Sequence, residues 1–163
     1  SCEVPTEAYD NPLDEEVAQE KGIDTPALVF FPDKFEGLTA GNSVSVQLFA
    51  LEVPDVAGAY IQLVYDKSKI SIGNVNAGDF FGSAPIFIYE DDSENGLLNI
   101  YTSFLGSDSS STVSGTGNLA TLVLGTITAG QSTLNYTVET QIVDAQDNPV
   151  VLNGLGEGVI DVQ

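Results

Sequence analysis

Residues 43–66 read SVSVQLFALEVPDVAGAYIQLVYD, and their apolar residues recur at every second position. Val44, Val46, Leu48 and Ala50 fall on one side, with Ser43, Ser45, Gln47 and Phe49 on the other. That period is the mark of a strand with one buried face. After the Pro54-Asp55 break a second extended run, GAYIQLVYD, begins at Gly58, and its adjacent Val64 and Tyr65 show that its outer side is not uniformly polar. The same texture extends outward in both directions. Short apolar or alternating runs occupy 27–31, 69–75, 84–90, 97–105, 118–128, 132–144, 149–153 and 157–163, separated by Gly, Asn, Asp, Pro and Ser. β-Branched and aromatic runs at this spacing predict an all-β sandwich over residues 27–163, and no segment of that body has a helical period.

Faces and turns follow from the pattern. In LLNIYTSFL (97–105), Leu98, Ile100, Thr102 and Phe104 are expected inward, and Asn99, Tyr101 and Ser103 outward. The preceding SENG (93–96) ends in Asn-Gly, which tolerates positive φ at both central positions of a type I′ turn, so the runs on either side are expected to pair as a hairpin. Glu90, Asp91, Asp92 and Glu94 would crowd at its tip. Calcium favours several oxygen ligands, which makes Asp91, Asp92 and Glu94 candidate ligands, but the EF-hand spacing is absent and a solvated hairpin tip is the favoured reading. DAQDNP (144–149) reads as a second acidic turn.

Composition excludes several functions. The chain has 163 residues, long enough for one domain with a full core. Twenty-four acids face four lysines, giving a net charge of −20, and arginine, histidine, methionine and tryptophan do not occur. Such a surface repels phosphate backbones and anionic head groups, which excludes nucleic acid and basic-face membrane binding. Without histidine and with a single cysteine, a histidine-based triad, a thiolate zinc site and an intrachain disulfide are all excluded. A carboxylate pair for glycoside hydrolysis remains formally available, but 24 acids always offer pairs, and no tryptophan is present to stack on sugar. No apolar run approaches the roughly 18 to 20 residues of a membrane span. Scarce lysine leaves few sites for trypsin-like cleavage, which suits an extracellular or cell-surface location.

The first 26 residues form an acidic tail. In SCEVPTEAYDNPLDEEVAQEKGID, residues 2–9 alternate as an edge strand would. Asn11 can cap a helix over 12–21 that starts at Pro12, carries acids in its first turn and Lys21 in its last, and ends at Gly22. Its apolar side, Leu13, Val17 and Ala18, needs a surface to dock on. Cys2 sits where a bacterial lipoprotein is acylated. It is a candidate lipid anchor if the chain is cleaved before it, and otherwise an intermolecular disulfide or a free thiol.

Taken in order, the run 43–81, the hairpin with NGLLNIYTSFLG, VSGTGNLATLVLGTITAGQSTLNY, and IVDAQDNPVV with the closing EGVIDV resemble a cohesin domain over about residues 28 to 162. The most specific elements are Gly58 to Lys69 with Tyr65-Asp66 ending a strand, the turn Ala77-Gly78-Asp79-Phe80-Phe81, and Gly115-Thr116-Gly117-Asn118-Leu119-Ala120. Read as fold residues, Gly78 with Gly115 or Gly117 serves positive φ, and Phe80 or Phe81 caps one end of the sandwich. The resemblance implies a nine-stranded jelly-roll sandwich that does no chemistry, needs no cofactor, and binds a dockerin module, itself carrying calcium, on one sheet face. By position, that face comprises Tyr60, Gln62, Phe87, Tyr89, Asn99, Tyr101 and Ser103. The polar pair that many cellulosomal cohesins carry at the start of the strand matching 58–64 is replaced here by Gly58 and Tyr60. Two further readings stand beside dockerin binding. One is a self-assembling structural subunit joined to its copies by N-terminal strand addition. The other is a carbohydrate-binding module.

Overall fold

The alternation in residues 43–56 gives a long strand, β3 (Ser43–Val56), whose Val44, Val46, Leu48 and Ala50 are all buried. A computed structural model describes residues 24–82, 85–103 and 112–163. The expected edge strand 2–9 and helix 12–21 lie outside the described residues, as do Cys2 and Phe104. Thirteen strand segments are described rather than the expected nine. The extra ones are short pieces recruited from connections, where a few residues satisfy their backbone groups on a neighbouring edge.

One sheet joins β1 (Ala27–Phe31), β3, β5 (Ile70–Ala77), β8 (Val113–Thr126) and β12 (Gly154–Leu155) in the order β12-β1-β3-β8-β5. The other runs β11 (Pro149–Val150), β10 (Gln141–Val143), β4 (Gly58–Tyr65), β9 (Gly130–Tyr136), β13 (Glu157–Val162) and β2 (Lys34–Leu38). To β4 this sheet also adds β7 (Leu97–Ser103), and to β7 it adds β6 (Ile86–Asp92). The predicted single run 132–144 is two strands, β9 and β10, broken at Thr137–Thr140, where the Thr140 amide donates to the Thr137 carbonyl at 3.1 Å in a turn. The segments nearest the two ends of the body pair in parallel, β1 with β12 and β2 with β13.

The inner faces of both sheets meet in one core that includes Leu28, Phe30, Leu48, Ile61, Leu63, Leu98, Ile100, Leu122 and Leu124. Each such side chain contributes about 1.5–3 kcal/mol by leaving water. Phe30 stacks on Tyr136 with ring centroids 4.6 Å apart. Phe80 and Phe81 are buried in this core, as expected of end caps. Gly115 has positive φ, but Gly78 and Gly117 do not. Those two are required instead by close approach, of Gly78 to the Asn118 carbonyl and of Gly117 to the Phe80 ring.

The expected hairpin is present, with Asp92 opposite Leu97 and Ile86 opposite Ser103. Its connection differs from a two-residue type I′ turn. Only Gly96 has positive φ, and the Asn95 amide donates to the Asp92 carbonyl, so a four-residue loop built on an ordinary turn closes the strands. The second acidic turn is also present: Asp144 Oδ1 accepts from the amides of Gln146 and Asn148, joining β10 to β11.

Candidate functional site

β4 organises one end of its sheet. β7 lies along one whole edge of it, while β10 takes Gly58–Tyr60 and β9 takes Leu63–Tyr65 on the other. Directly opposed residues share a face. Tyr60 opposes Tyr101, Gln62 opposes Asn99, and Gly58 opposes Ser103. Five of the expected binding residues, Tyr60, Gln62, Asn99, Tyr101 and Ser103, are thereby brought together on the outer face.

The other two are not on it. Phe87 opposes Thr102 and Tyr89 opposes Ile100, and both Thr102 and Ile100 are buried. Phe87 packs against the core, and Tyr89 stands on the same side, its ring centroid 6.5 Å from that of Phe87 but 45% exposed. Residues 86–89 are all apolar or aromatic, so alternation carries no parity there and only the register decides it. The outward residues of β6 are Ile86, Ile88 and Glu90, opposite Ser103, Tyr101 and Asn99. Ile88 is 60% exposed and Tyr101 54%. Nothing short of the pairing register could have found these two isoleucines.

The polar members are held rigidly. Asn99 Oδ1 accepts from the Tyr60 hydroxyl at 3.0 Å and from Gln62 Nε2 at 2.9 Å. Thr137 Oγ1 donates to Gln62 Oε1 at 2.7 Å, and the Thr140 hydroxyl accepts from the Gln62 amide at 3.0 Å. The β9–β10 turn therefore fixes Gln62, Gln62 and Tyr60 fix Asn99, and Tyr60 lies 4.6 Å from Tyr101, ring centroid to centroid. Burial raises the Tyr60 pKa, helped by Tyr101, Glu139 and Glu90 and opposed by the Gln62 hydrogen bond, so the phenol stays neutral and keeps its proton for Asn99.

An open groove of about 400 Å³ lies beside this pair, between Tyr60 and Tyr101, Ile86, Ser103, Val143 and Asp147. Gly58 gives it depth: a Cβ there would stand 3.3 Å from Ser103 Cβ and 3.6 Å from Val143. The arrangement offers aromatic and aliphatic surface at its centre and carboxylates at its margin.

The candidate calcium ligands point to separate tasks. Asp91 Oδ1 accepts from the Tyr65 hydroxyl at 2.6 Å, Asp92 Oδ2 accepts from Asn95 Nδ2 at 2.9 Å, and the Glu94 carbonyl accepts from Lys67 Nζ. Among the described residues no three carboxylates, histidines or cysteines are grouped as a metal site would require.

A family model described as the cohesin domain matches residues 29–154. Solved structures agree. The third cohesin of ScaC from Acetivibrio cellulolyticus, in complex with the ScaB dockerin, is 17% identical with a TM-score of 0.71, covering 83% of this chain and 97% of that one. The OlpC cohesin of Clostridium thermocellum, in complex with a dockerin, is 17% identical with a TM-score of 0.69, covering 84% and 94%. A non-cellulosomal cohesin from the hyperthermophilic archaeon Archaeoglobus fulgidus is 15% identical with a TM-score of 0.65, covering 84% and 91%. No curated protein matches the chain. With the family match spanning most of the sandwich, the chain belongs to the cohesin domain family, a family of non-catalytic modules that bind other proteins.

Proposed function

We propose that this cohesin binds a protein partner, of dockerin type, on the outer face of β4, β7 and β6. The observation that carries the reading is the contiguous set Tyr60, Tyr101, Ile86 and Ile88 beside the Gly58 groove, rigidly backed and rimmed by Glu90, Glu139 and Asp147. An aromatic and aliphatic centre within a polar margin is the usual anatomy of a binding hot spot. Any calcium is carried by the partner. The module works outside the cell or on its surface, with Cys2 as its anchor where the chain is acylated there.

The test is calorimetric titration with calcium-loaded dockerins encoded by the same genome. Binding that weakens at least tenfold on Tyr101→Ala, with thermal stability unchanged, is the expected result. Absence of binding by every such dockerin would remove the dockerin reading.

Self-assembly has one supporting observation. β6 has no strand beyond it among the described residues, so its outer backbone edge is open to an added strand. Light scattering of the full chain and of a chain lacking residues 1–26 separates the two readings: assembly that depends on the tail would favour this one.

A further inference from the structure

In a chain with 24 acids, the outer face formed by β3, β8 and β5 carries no charge. Its outward residues lie in rows across the three strands. Ser45 opposes Val123, which opposes Asn74, and Gln47 opposes Thr121, which opposes Asn76. In a further row Gly125 stands between Ser43 and Ser71, and the missing side chain leaves room for the Ser71 hydroxyl, 2.7 Å from where a Cβ would stand. These positions alternate with buried Val44, Val46, Val75, Leu122 and Leu124, so they face solvent. Acids and lysines ordinarily concentrate on such a face. Here amides and hydroxyls take their place.

At Gln47 the rows run into a groove of about 640 Å³, lined also by Phe49, Asp79, Thr116 and Asn118. Phe49 is half-buried, seated on Val29 and Leu51 and set edge-on to Phe31 at 6.2 Å. Asn118 is fixed too: its Nδ2 donates to Thr121 Oγ1 at 3.1 Å and its Oδ1 accepts from the Ala120 amide at 3.0 Å. The Thr121 hydroxyl accepts that bond and keeps its own proton to donate. On the opposite sheet Gln62 and Asn99 spend their amides on each other. The side chains of Gln47, Asn74 and Asn76, by contrast, make no hydrogen bond among the described residues. Each offers two donors and an acceptor.

This chemistry selects a ligand. Amides and hydroxyls that both donate and accept match groups that do the same, and a single aromatic ring asks for one apolar flank. A net charge of −20 repels anions, and no described lysine lines the groove. A protein partner fits poorly, because none of the exposed large apolar residues of the described chain belongs to these rows, and hot spots are built on such residues. The geometry points to a binding site for an uncharged polysaccharide, lying along Gln47, Thr121, Asn74 and Asn76 and packing one sugar ring against Phe49 in the groove.

Phe49 supplies the aromatic ring that tryptophan would otherwise provide. The site is on the sheet opposite the β4–β7–β6 face, so a polysaccharide and a protein partner bind without competing. The module then holds its partner against a glycan surface, and the inference stands or falls independently of which protein that partner is.

Native affinity electrophoresis of the full chain tests it, since the charge of −20 drives the protein through gels containing hydroxyethylcellulose, xyloglucan, galactomannan or xylan. Retardation by at least one of these is expected, with affinity falling about fivefold or more in the double variant Gln47→Ala with Asn76→Ala. Asn76 is exposed, so Asn76→Ala alone, expected to weaken retardation about twofold or more at unchanged Tm, reads the site without disturbing the fold. No retardation in any of the gels would overturn the inference. So would retardation undiminished in these variants, which would place the sugar elsewhere, or retardation by polygalacturonate alone, which would require a cationic site.

Discussion

The Tyr65 hydroxyl donates a 2.6 Å hydrogen bond to Asp91 Oδ1, joining the end of β4 to β6 from within the sandwich. Both residues lie on the inner side, because Asp91 opposes Leu98 and Leu98 opposes Leu63. Tyr65 is buried, so the bond is shielded from water and its acceptor is a carboxylate. Tyr65→Phe should cost about 1–3 kcal/mol, read from urea unfolding, since the ring still packs while the half-buried carboxylate acceptor loses its donor. Asp91→Asn should cost less, because the amide oxygen still accepts. Equal losses in the two variants would show that packing, and not this bond, carries the effect.

Alkaline pH should destabilise the fold through Tyr65 and Tyr136. Burial raises both pKa values; for Tyr65 the Asp91 hydrogen bond and the charges of Asp91 and Asp92 raise it further. Above about pH 10 an unfolded tyrosine loses its proton while these two keep theirs, so the unfolded state binds fewer protons and stability falls. Full stability is therefore expected below about pH 10, with a progressive loss as pH rises toward the folded values. Tm measured across this range should fall less steeply in Tyr65→Phe than in the parent.

Much of this fold was legible because its strands alternate. Val44 to Ala50 and Leu98 to Thr102 declare their inner faces in the sequence, and the Tyr65-Asp66, Ala77 to Phe81 and Gly115 to Ala120 elements place them in order. The site was legible only where a strand alternates. Tyr60, Gln62, Asn99, Tyr101 and Ser103 share the predicted face, whereas uniformly apolar Ile86 to Tyr89 leaves parity open, and the register puts Phe87 and Tyr89 on the side opposite to Tyr101. β2 and β12 are not separable from loops in the sequence, because strands of two to five residues on an edge carry no periodic signal. The groove depends on a missing side chain at Gly58, a feature visible only once Ser103 and Val143 are seen beside it.

That parity is directly testable in β6. Ile88 is on the outer face and Phe87 packs against the core. Ile88→Ala should change stability by no more than about 0.5 kcal/mol while weakening partner binding. Phe87→Ala should cost about 1–3 kcal/mol, less than a fully buried phenylalanine would. Chemical denaturation of the two variants side by side decides it. The reverse ranking would mean that β6 is shifted by one residue against β7.

Gly78 is held by proximity to the neighbouring strand and not by a left-handed backbone. Its amide donates to the Leu119 carbonyl at 3.1 Å, and Phe80 two residues later donates to the Asn118 carbonyl at 2.9 Å. This pair of bonds draws the turn after β5 hard against the β8 backbone. A Cβ added at Gly78 would fall 2.1 Å from the Asn118 carbonyl oxygen and 2.6 Å from its carbon, distances at which backbone must move. The displaced turn carries Phe80 and Phe81, both buried. Gly78→Ala is therefore expected to cost more than about 2 kcal/mol, well beyond an ordinary surface substitution. Gly82, in the same turn but with positive φ and open space around it, supplies the contrast. Gly82→Ala pays only for its backbone conformation, about 1 kcal/mol, so unfolding curves should rank Gly78→Ala clearly below Gly82→Ala.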